Sequence, residues 1–195
     1  VIIRNDYEII VEASKKDRTI TITDNGIGMN LADINNKYLT VGYQKRSESG
    51  ESLIFHRPVM GRKGIGKLSM FSIANTVEVY SKKDAEVNGF KIDTNSLREA
   101  IKTNDTYYPV ELPTDNLLFT NNGTKIILSD LKKKRTAALA SHLRQRLARR
   151  FAIIGAKNNF NVSINNENIV VSDRNYLSKA QCVWMFLPKE GSDEF

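Results

Sequence analysis

The amino-acid sequence predicts an α+β domain. Two observations carry this: short β-branched segments with strand-like alternation, and segments between them with apolar residues at helical spacing. Residues 7–13 (Tyr-Glu-Ile-Ile-Val-Glu-Ala) and 19–23 (Thr-Ile-Thr-Ile-Thr) read as strands, joined by the polar turn Lys15-Lys16-Asp17-Arg18. Asn30 reads as a helix N-cap with Asp33 placed as in a capping box, and Leu31, Ile34, Tyr38 and Leu39 form an apolar stripe through residue 40. A second helix is expected from Lys67 to Ala74. Further strands are expected at 76–81, 89–93 and 124–128, with a helical turn and an irregular insert across the Asn-, Asp- and Thr-rich residues 94–122. A basic helix follows over 133–151 with Leu139, Leu143 and Leu147 on one face, then a hairpin of 160–164 and 168–172 around Asn165-Asn166.

Composition narrows the class. The chain has 195 residues, 41 % of them hydrophobic and 26 % charged, as expected of one globular core with at most a small appendage. No apolar run is long enough to cross a bilayer, so no membrane partner is expected. The single cysteine, Cys182, fits a reducing, cytoplasmic setting and reads as a small hydrophobe beside Trp184 and Phe186. The net charge of +7 is uneven. Residues 131–150 carry Lys132, Lys133, Lys134, Arg135, Arg144, Arg146, Arg149 and Arg150 and no acid, which leaves the remainder slightly negative.

Three short motifs carry chemistry. In Asp24-Asn25-Gly26-Ile27-Gly28-Met29 an alternating strand ends in an acid followed by two spaced glycines. Such an acid can accept a hydrogen bond from an exocyclic amine, and glycines let the backbone pass a flat ring closely. In Gly61-Arg62-Lys63-Gly64-Ile65-Gly66-Lys67-Leu68-Ser69 a glycine-rich loop feeds a helix, an arrangement that cradles phosphates. Gly61, Gly66 and Lys67 fit the spacing of a P-loop, but that reading ranks well below: Leu68 stands where a Ser or Thr hydroxyl must meet magnesium, and His56-Arg57-Pro58 precedes Gly61 in place of an apolar strand. In Asn122-Gly123-Thr124 a turn opens a strand. Singly, these are a common turn, a flexible basic loop and a strand start. Residues 42–66 between the first two, with Gly42, Ser47, Ser49, Gly50, Pro58 and Gly61, read as a long functional loop.

Taken in this order over residues 7–130, the three motifs closely resemble the GHKL superfamily of gyrase, the ninety-kilodalton heat-shock chaperones, histidine kinases and MutL. The resemblance implies the Bergerat fold, a two-layer α/β sandwich with a mixed, mainly antiparallel sheet and helices on one face. It implies an ATP site in which Asp24 binds the adenine amino group, Gly26 and Gly28 shape the pocket floor and the start of the lid, and Met29 packs on the base. Gly64, Ile65, Gly66 and Lys67 would wrap the phosphates, and Thr124 would add a hydroxyl to the adenine network. The lid would span 37–63, with Gln44, Lys45 and Arg46 in the region where MutL-like and MORC-like members place a phosphate-contacting lysine. Tyr38-Leu39-Thr40-Val41-Gly42 and Gly-Ile-Gly-Lys-Leu-Ser look more like the chaperone, MORC and MutL group than like histidine kinases, and His56 and His142 do not sit in dimerisation-helix contexts.

One feature of the family has no counterpart in these residues: the earlier helix with a Glu general base and a magnesium-binding Asn. Asn5 and Asp6 lie too close to Asp24, and Glu8 and Glu12 lie on a strand. The chain is therefore expected to bind ATP without appreciable turnover. Beginning Val1-Ile2-Ile3 without a methionine, it is expected to belong to a longer, slowly hydrolysing ATPase with bound Mg2+. The division expected is 1–130 as the ATP-binding domain and 131–195 as its end or the passage to a following domain. The leading functional expectation is an ATP-driven conformational clamp that pairs as a nucleotide-dependent homodimer. A non-hydrolysing nucleotide switch is the second. A nucleic-acid module using 131–150 is the third, binding phosphates without sequence preference and without aromatics for base stacking.

Overall fold

The computed structural model describes residues 7–14, 16–44, 51, 63–115, 119–132, 139–151, 154 and 159–174. Lys45, Arg46, most of the expected lid, the basic run Lys133-Lys134-Arg135 and Cys182 lie outside them.

Among the described residues, eight strands form one sheet: β1 (Tyr7–Ser14), β2 (Thr19–Asp24), β3 (Ala74–Lys83), β4 (Glu86–Asp93), β5 (Val110–Glu111), β6 (Gly123–Leu131), β7 (Phe160–Ile164) and β8 (Glu167–Asn168). Their spatial order is β5-β4-β3-β6-β2-β1-β7-β8. Every neighbouring pair is antiparallel except β1 and β7, which run parallel. The sheet is therefore mixed and mainly antiparallel, as expected.

Register explains the core. Residues directly opposite one another on paired strands share a face. Ile92, Val77, Leu128 and Ile20 form one such row, and Phe90, Val79, Ile126, Ile22, Val11 and Ile164 form the next. Most of these side chains are buried, Val77 and Val79 completely. Ile34, Tyr38, Met70, Phe71, Leu97, Leu143 and Leu147 from the helices pack against this cluster. The opposite face, with Glu12, Thr21, Thr23, Glu78, Tyr80 and Lys125, is half-buried or exposed. The result is the expected two-layer sandwich.

The helical layer is shorter-stepped than its periodicity suggests. Asn30 caps α1 (Leu31–Asp33) by accepting the Asp33 N–H at 2.8 Å, and the chain then widens into a π turn over Ile34–Tyr38. Ile34, Tyr38 and Leu39 face the core, but Leu31 is exposed and is not part of the stripe, because as the first helical residue it donates its N–H to Glu86 on β4. The helix expected from Lys67 to Ala74 is a tight 3-10 turn, Gly66–Ser69, followed by one turn of α2 (Met70–Ile73), and fully buried Ala74 already begins β3.

Residues 94–103 form three turns of helix, α3 (Thr94–Thr103), where only a helical turn was expected. The Asp93 carboxylate caps it by accepting the N–H groups of Asn95 and Ser96, and Asn104 ends it in the left-handed region. The last hairpin is also shorter than expected. β8 ends at Asn168, Ile169 makes one more bond to the Val162 carbonyl at 2.8 Å, Val170 donates its N–H to the Asp173 carboxylate, and Val171–Asp173 closes as a 3-10 turn.

The described part of the basic helix is α4 (Leu139–Arg150). Arg144 clasps the hairpin, pairing with Glu167, donating to the Asn168 carbonyl at 2.9 Å and lying 3.5 Å from Asp173. One of the eight cations is thus committed to holding β8. Arg146, Arg149 and Arg150 are exposed.

Candidate functional site

The third row across the core face is polar. Ser81 on β3, Thr124 on β6 and Asp24 on β2 stand opposite one another, with Ile9 of β1 continuing the row. The first and third sequence motifs thus meet because β2 and β6 are neighbours, although a hundred residues separate them.

Asp24 Oδ1 accepts the Gly26 N–H at 2.9 Å. Burial pushes the Asp24 carboxyl above the usual carboxylate range, partly offset by the backbone N–H groups of Gly26 and Thr124, which favour the charged form. The carboxylate therefore stands at a half-buried strand end with lone pairs left for a donor. Asn25 braces this end: its Oδ1 accepts the Glu8 N–H at 2.8 Å while its own N–H reaches the Glu8 carbonyl.

Gly28, expected on the pocket floor and at the start of the lid, lies against the backbone of β3. Its φ is +69°, and a Cβ there would stand 1.7 Å from the Lys82 carbonyl oxygen. The segment after Asp24 is pressed onto the end of β3, and Met29 N–H donates to Ser81 Oγ at 2.9 Å, just beyond that crossing. Two further contacts fix α1: Lys83 pairs with Asp33 at 2.5 Å, and Glu86 accepts the Leu31 N–H at 2.7 Å. Lys83 and Lys37 together hold the Asp33 carboxyl below its ordinary value, the Lys83 bond contributing most.

The neck of the expected lid lies on the other side. Gly42 N–H points to the Gly64 carbonyl at 3.4 Å, and a Cβ on Gly64, whose φ is +63°, would meet the Tyr43 carbonyl at 2.2 Å. Only glycine allows this approach. Ile65 and Gly66 follow, both exposed, so their backbone is open to a ligand. The Lys67 ammonium donates to the Thr40 carbonyl at 2.5 Å and lies 5.7 Å from the Tyr38 ring centroid. Desolvation lowers its pKa. The Tyr38 hydroxyl is buried with no hydrogen-bond partner among the described residues, and burial pushes its pKa up to about 12.

Asp24, Thr124 and Met29 are thus brought together through the pairing of β2 with β6 and the Met29–Ser81 bond, while Gly64 and Lys67 meet the neck at Thr40, Gly42 and Tyr43. Gly26, beside Asp24, is held by that carboxylate, its missing Cβ leaving room for Oδ1 at 2.8 Å. Lys45 lies outside the described residues. Sequence reasoning missed Ser81, whose only signal is a small hydroxyl in an inward position of β3 after Val77 and Val79. Glu8 and Glu12, with Ile10 and Thr23, belong to the sheet's other face; Glu8, Ile10, Thr23 and Asn25 line a shallow pocket with Phe119 and Asn121 that also reaches Asp24 at the strand end.

For magnesium, no group of three or more His, Cys, Asp or Glu side chains is gathered among the described residues. Asp33, an acid near the neck, is already satisfied by two lysines. These residues do not by themselves make a protein-held magnesium site. Among the described residues no helix is long and apolar enough to cross a membrane.

Residues 5–124 match the family model described as histidine kinase-, DNA gyrase B-, and HSP90-like ATPase. Over 166 residues the chain is 47 % identical to a putative type II restriction enzyme, HgiDII, of Herpetosiphon aurantiacus, covering 85 % of this chain and 27 % of that protein. It is 31 % identical over 128 residues to the chaperone protein HtpG of Orientia tsutsugamushi, covering 64 % of this chain and 19 % of that one. HtpG of Halalkalibacterium halodurans is 31 % identical over 94 residues, 45 % of this chain and 14 % of the chaperone. The chain spans about a quarter or less of the length of each of these relatives.

Proposed function

Because this chain belongs to the histidine kinase-, DNA gyrase B-, and HSP90-like ATPase family, we propose that it is the ATP-binding part of an ATP-driven conformational clamp. The observation that carries the reading is the polar row Ser81–Thr124–Asp24 at the end of an otherwise apolar face, with a glycine-rich neck beside it. Asp24 accepts the adenine amino group, Met29 packs on the ring, and the backbone of Gly64, Ile65 and Gly66 receives the phosphates. Lys67 supplies the coupling. Its ammonium is held by the Thr40 carbonyl, and an incoming phosphate competes for it, because a charge-assisted bond to an anion is stronger than one to a neutral carbonyl. Moving Lys67 frees the neck at Thr40 and Gly42, so occupancy of the pocket is translated into a change at the lid.

Magnesium would arrive with the nucleotide, bridging its phosphate oxygens. Residues 131–195 close the same domain in this reading, since β7 extends the sheet from β1. Nucleotide-dependent pairing of two copies and a cytoplasmic setting complete the proposal. HtpG relatives support the clamp-like, chaperone-like form.

Calorimetric titration tests the reading. The chain is expected to bind ADP and a non-hydrolysable ATP analogue at one site, and phosphate release from ATP is expected to stay at background. Absence of binding by either nucleotide would overturn it. Turnover abolished by Glu8→Gln or Glu12→Gln would overturn the assignment of those acids to the far face.

A second reading has an observation of its own. One relative is named a putative type II restriction enzyme, and α4 exposes Arg146 and Arg150 while Arg144 is committed to the hairpin. A clamp that acts on DNA would use these cations on phosphates. Arg146→Ala with Arg150→Ala is then expected to weaken duplex binding irrespective of sequence and to lower the salt slope by about two, roughly one per lost phosphate contact. An unchanged slope in a filter-binding series excludes this role for α4.

A further inference from the structure

Val77, Val79 and Ser81 take successive inward positions of β3, and alternation asks for an apolar residue at each. Ser81 is instead a hydroxyl with no exposed surface. A buried hydroxyl is costly unless its bonds are made. Ser81 Oγ lies 2.9 Å from Met29 N, 3.0 Å from Gly123 O and 3.1 Å from Thr124 Oγ1.

Proton counting orients this hub. A hydroxyl has one proton and two lone pairs. The Met29 N–H can only donate and the Gly123 carbonyl can only accept. Ser81 therefore gives its proton to Gly123, takes the Met29 N–H on one lone pair and has one lone pair left. Its contact with Thr124 is then a bond only if Thr124 is the donor. The reverse arrangement takes the Ser81 proton from the Gly123 carbonyl and leaves a buried lone pair empty. With its proton engaged, Thr124 Oγ1 turns only lone pairs to the pocket, on the same row as the Asp24 carboxylate.

We infer that Ser81 is a positioning residue for nucleobase specificity: by taking the Thr124 proton it makes the Asp24–Thr124 pair an all-acceptor edge, which suits a base with an exocyclic amine and disfavours one with a carbonyl at that place. Ser81 is too deeply buried to touch the base and acts through Thr124. The inference rests on the ATP-site reading and adds to it the device that tells adenine from a six-keto purine.

Titration with ADP and inosine diphosphate tests it. The wild-type chain is expected to prefer ADP by about tenfold or more, as sites that leave a polar pair mismatched do. In Ser81→Ala the Thr124 proton is released toward the ligand, and the ADP preference is expected to fall by about threefold or more, mainly through tighter binding of inosine diphosphate. Ser81→Thr, which keeps the hydroxyl, is expected to retain the preference. Thr124→Val reads the same proton with Ser81 intact: ADP binding weakens while inosine diphosphate binding does not. An unchanged preference in a cooperatively melting Ser81→Ala, or equal weakening of both ligands in Thr124→Val, overturns the inference. If Ser81→Ala fails to fold, Thr124→Val decides alone. A wild-type chain that binds neither ligand overturns the ATP-site reading itself, a result distinct from binding both equally.

Discussion

Gly28→Ala is expected to lower the melting temperature sharply and to remove nucleotide binding with it. The methyl group would sit 1.7 Å from the Lys82 carbonyl oxygen and 2.6 Å from its carbon. Both atoms are backbone of β3, a strand paired on two sides with β4 and β6, so neither can yield as a side-chain tip could. The φ of +69° adds left-handed strain for any residue with a Cβ. The segment must lift from β3, and the Met29–Ser81 and Leu31–Glu86 bonds go with it. Overpacking costs roughly 1–3 kcal/mol and the left-handed backbone about as much again, so a loss of about 3 kcal/mol is expected. Gly66→Ala is the control: nothing lies within 4 Å of its added methyl, so thermal melting should hardly move. A Gly28→Ala chain that melts like the wild type would show that residues 25–31 are not seated on β3.

Asp24→Asn is expected to weaken ADP binding by more than about tenfold, or about 1.4 kcal/mol, because a charge-assisted bond to the base is replaced by a neutral one. The fold should survive. Desolvation raises the Asp24 carboxyl pKa, so the charged form costs the folded state stability, and neutralisation relieves that cost. The sign follows: a carboxyl raised on folding makes the protein more stable as pH falls through its folded pKa, whereas ligand affinity, which needs the carboxylate, falls over the same window. Calorimetry and melting should therefore move apart in Asp24→Asn and in acid. An affinity unchanged within error would remove Asp24 from the base site.

Much of the site was legible because its parts are local. An acid ending an alternating strand, glycines before a helix and a Gly-Thr strand start each have a sequence signature. What the sequence lacked was strand order. Alternation says that Val77, Val79 and Ser81 share a face, but not that β6 lies between β3 and β2, and only that order puts Ser81 beside Thr124. The sequence marks Gly28 as a place of close approach, but not that the backbone it approaches is that of Lys82, fifty-odd residues away. The three turns of α3 were read as one because the helix buries only Thr94 completely and offers little apolar stripe; its cap at Asp93 was the available signal. The hairpin was drawn too long because Ile169, Val170 and Val171 look like strand, while Asp173 turns the chain at Val170. Arg144 shows the same limit in charge: a basic run reads as one surface, yet one member is spent on Glu167 and Asp173.

The parallel pairing of Tyr7–Val11 with Phe160–Ile164 has a kinetic consequence. This ladder joins segments some one hundred and fifty residues apart, so it closes a long loop that local hairpins such as β1–β2 and β3–β4 do not require. During synthesis the first strand can pair with the second almost at once, but its outer row of N–H and C=O groups stays open until residues 160–164 have emerged. For that interval the nascent chain carries an unprotected edge, the feature through which sheets recruit wrong partners. β7, itself covered next by β8, is thus a late guard of this edge against aggregation.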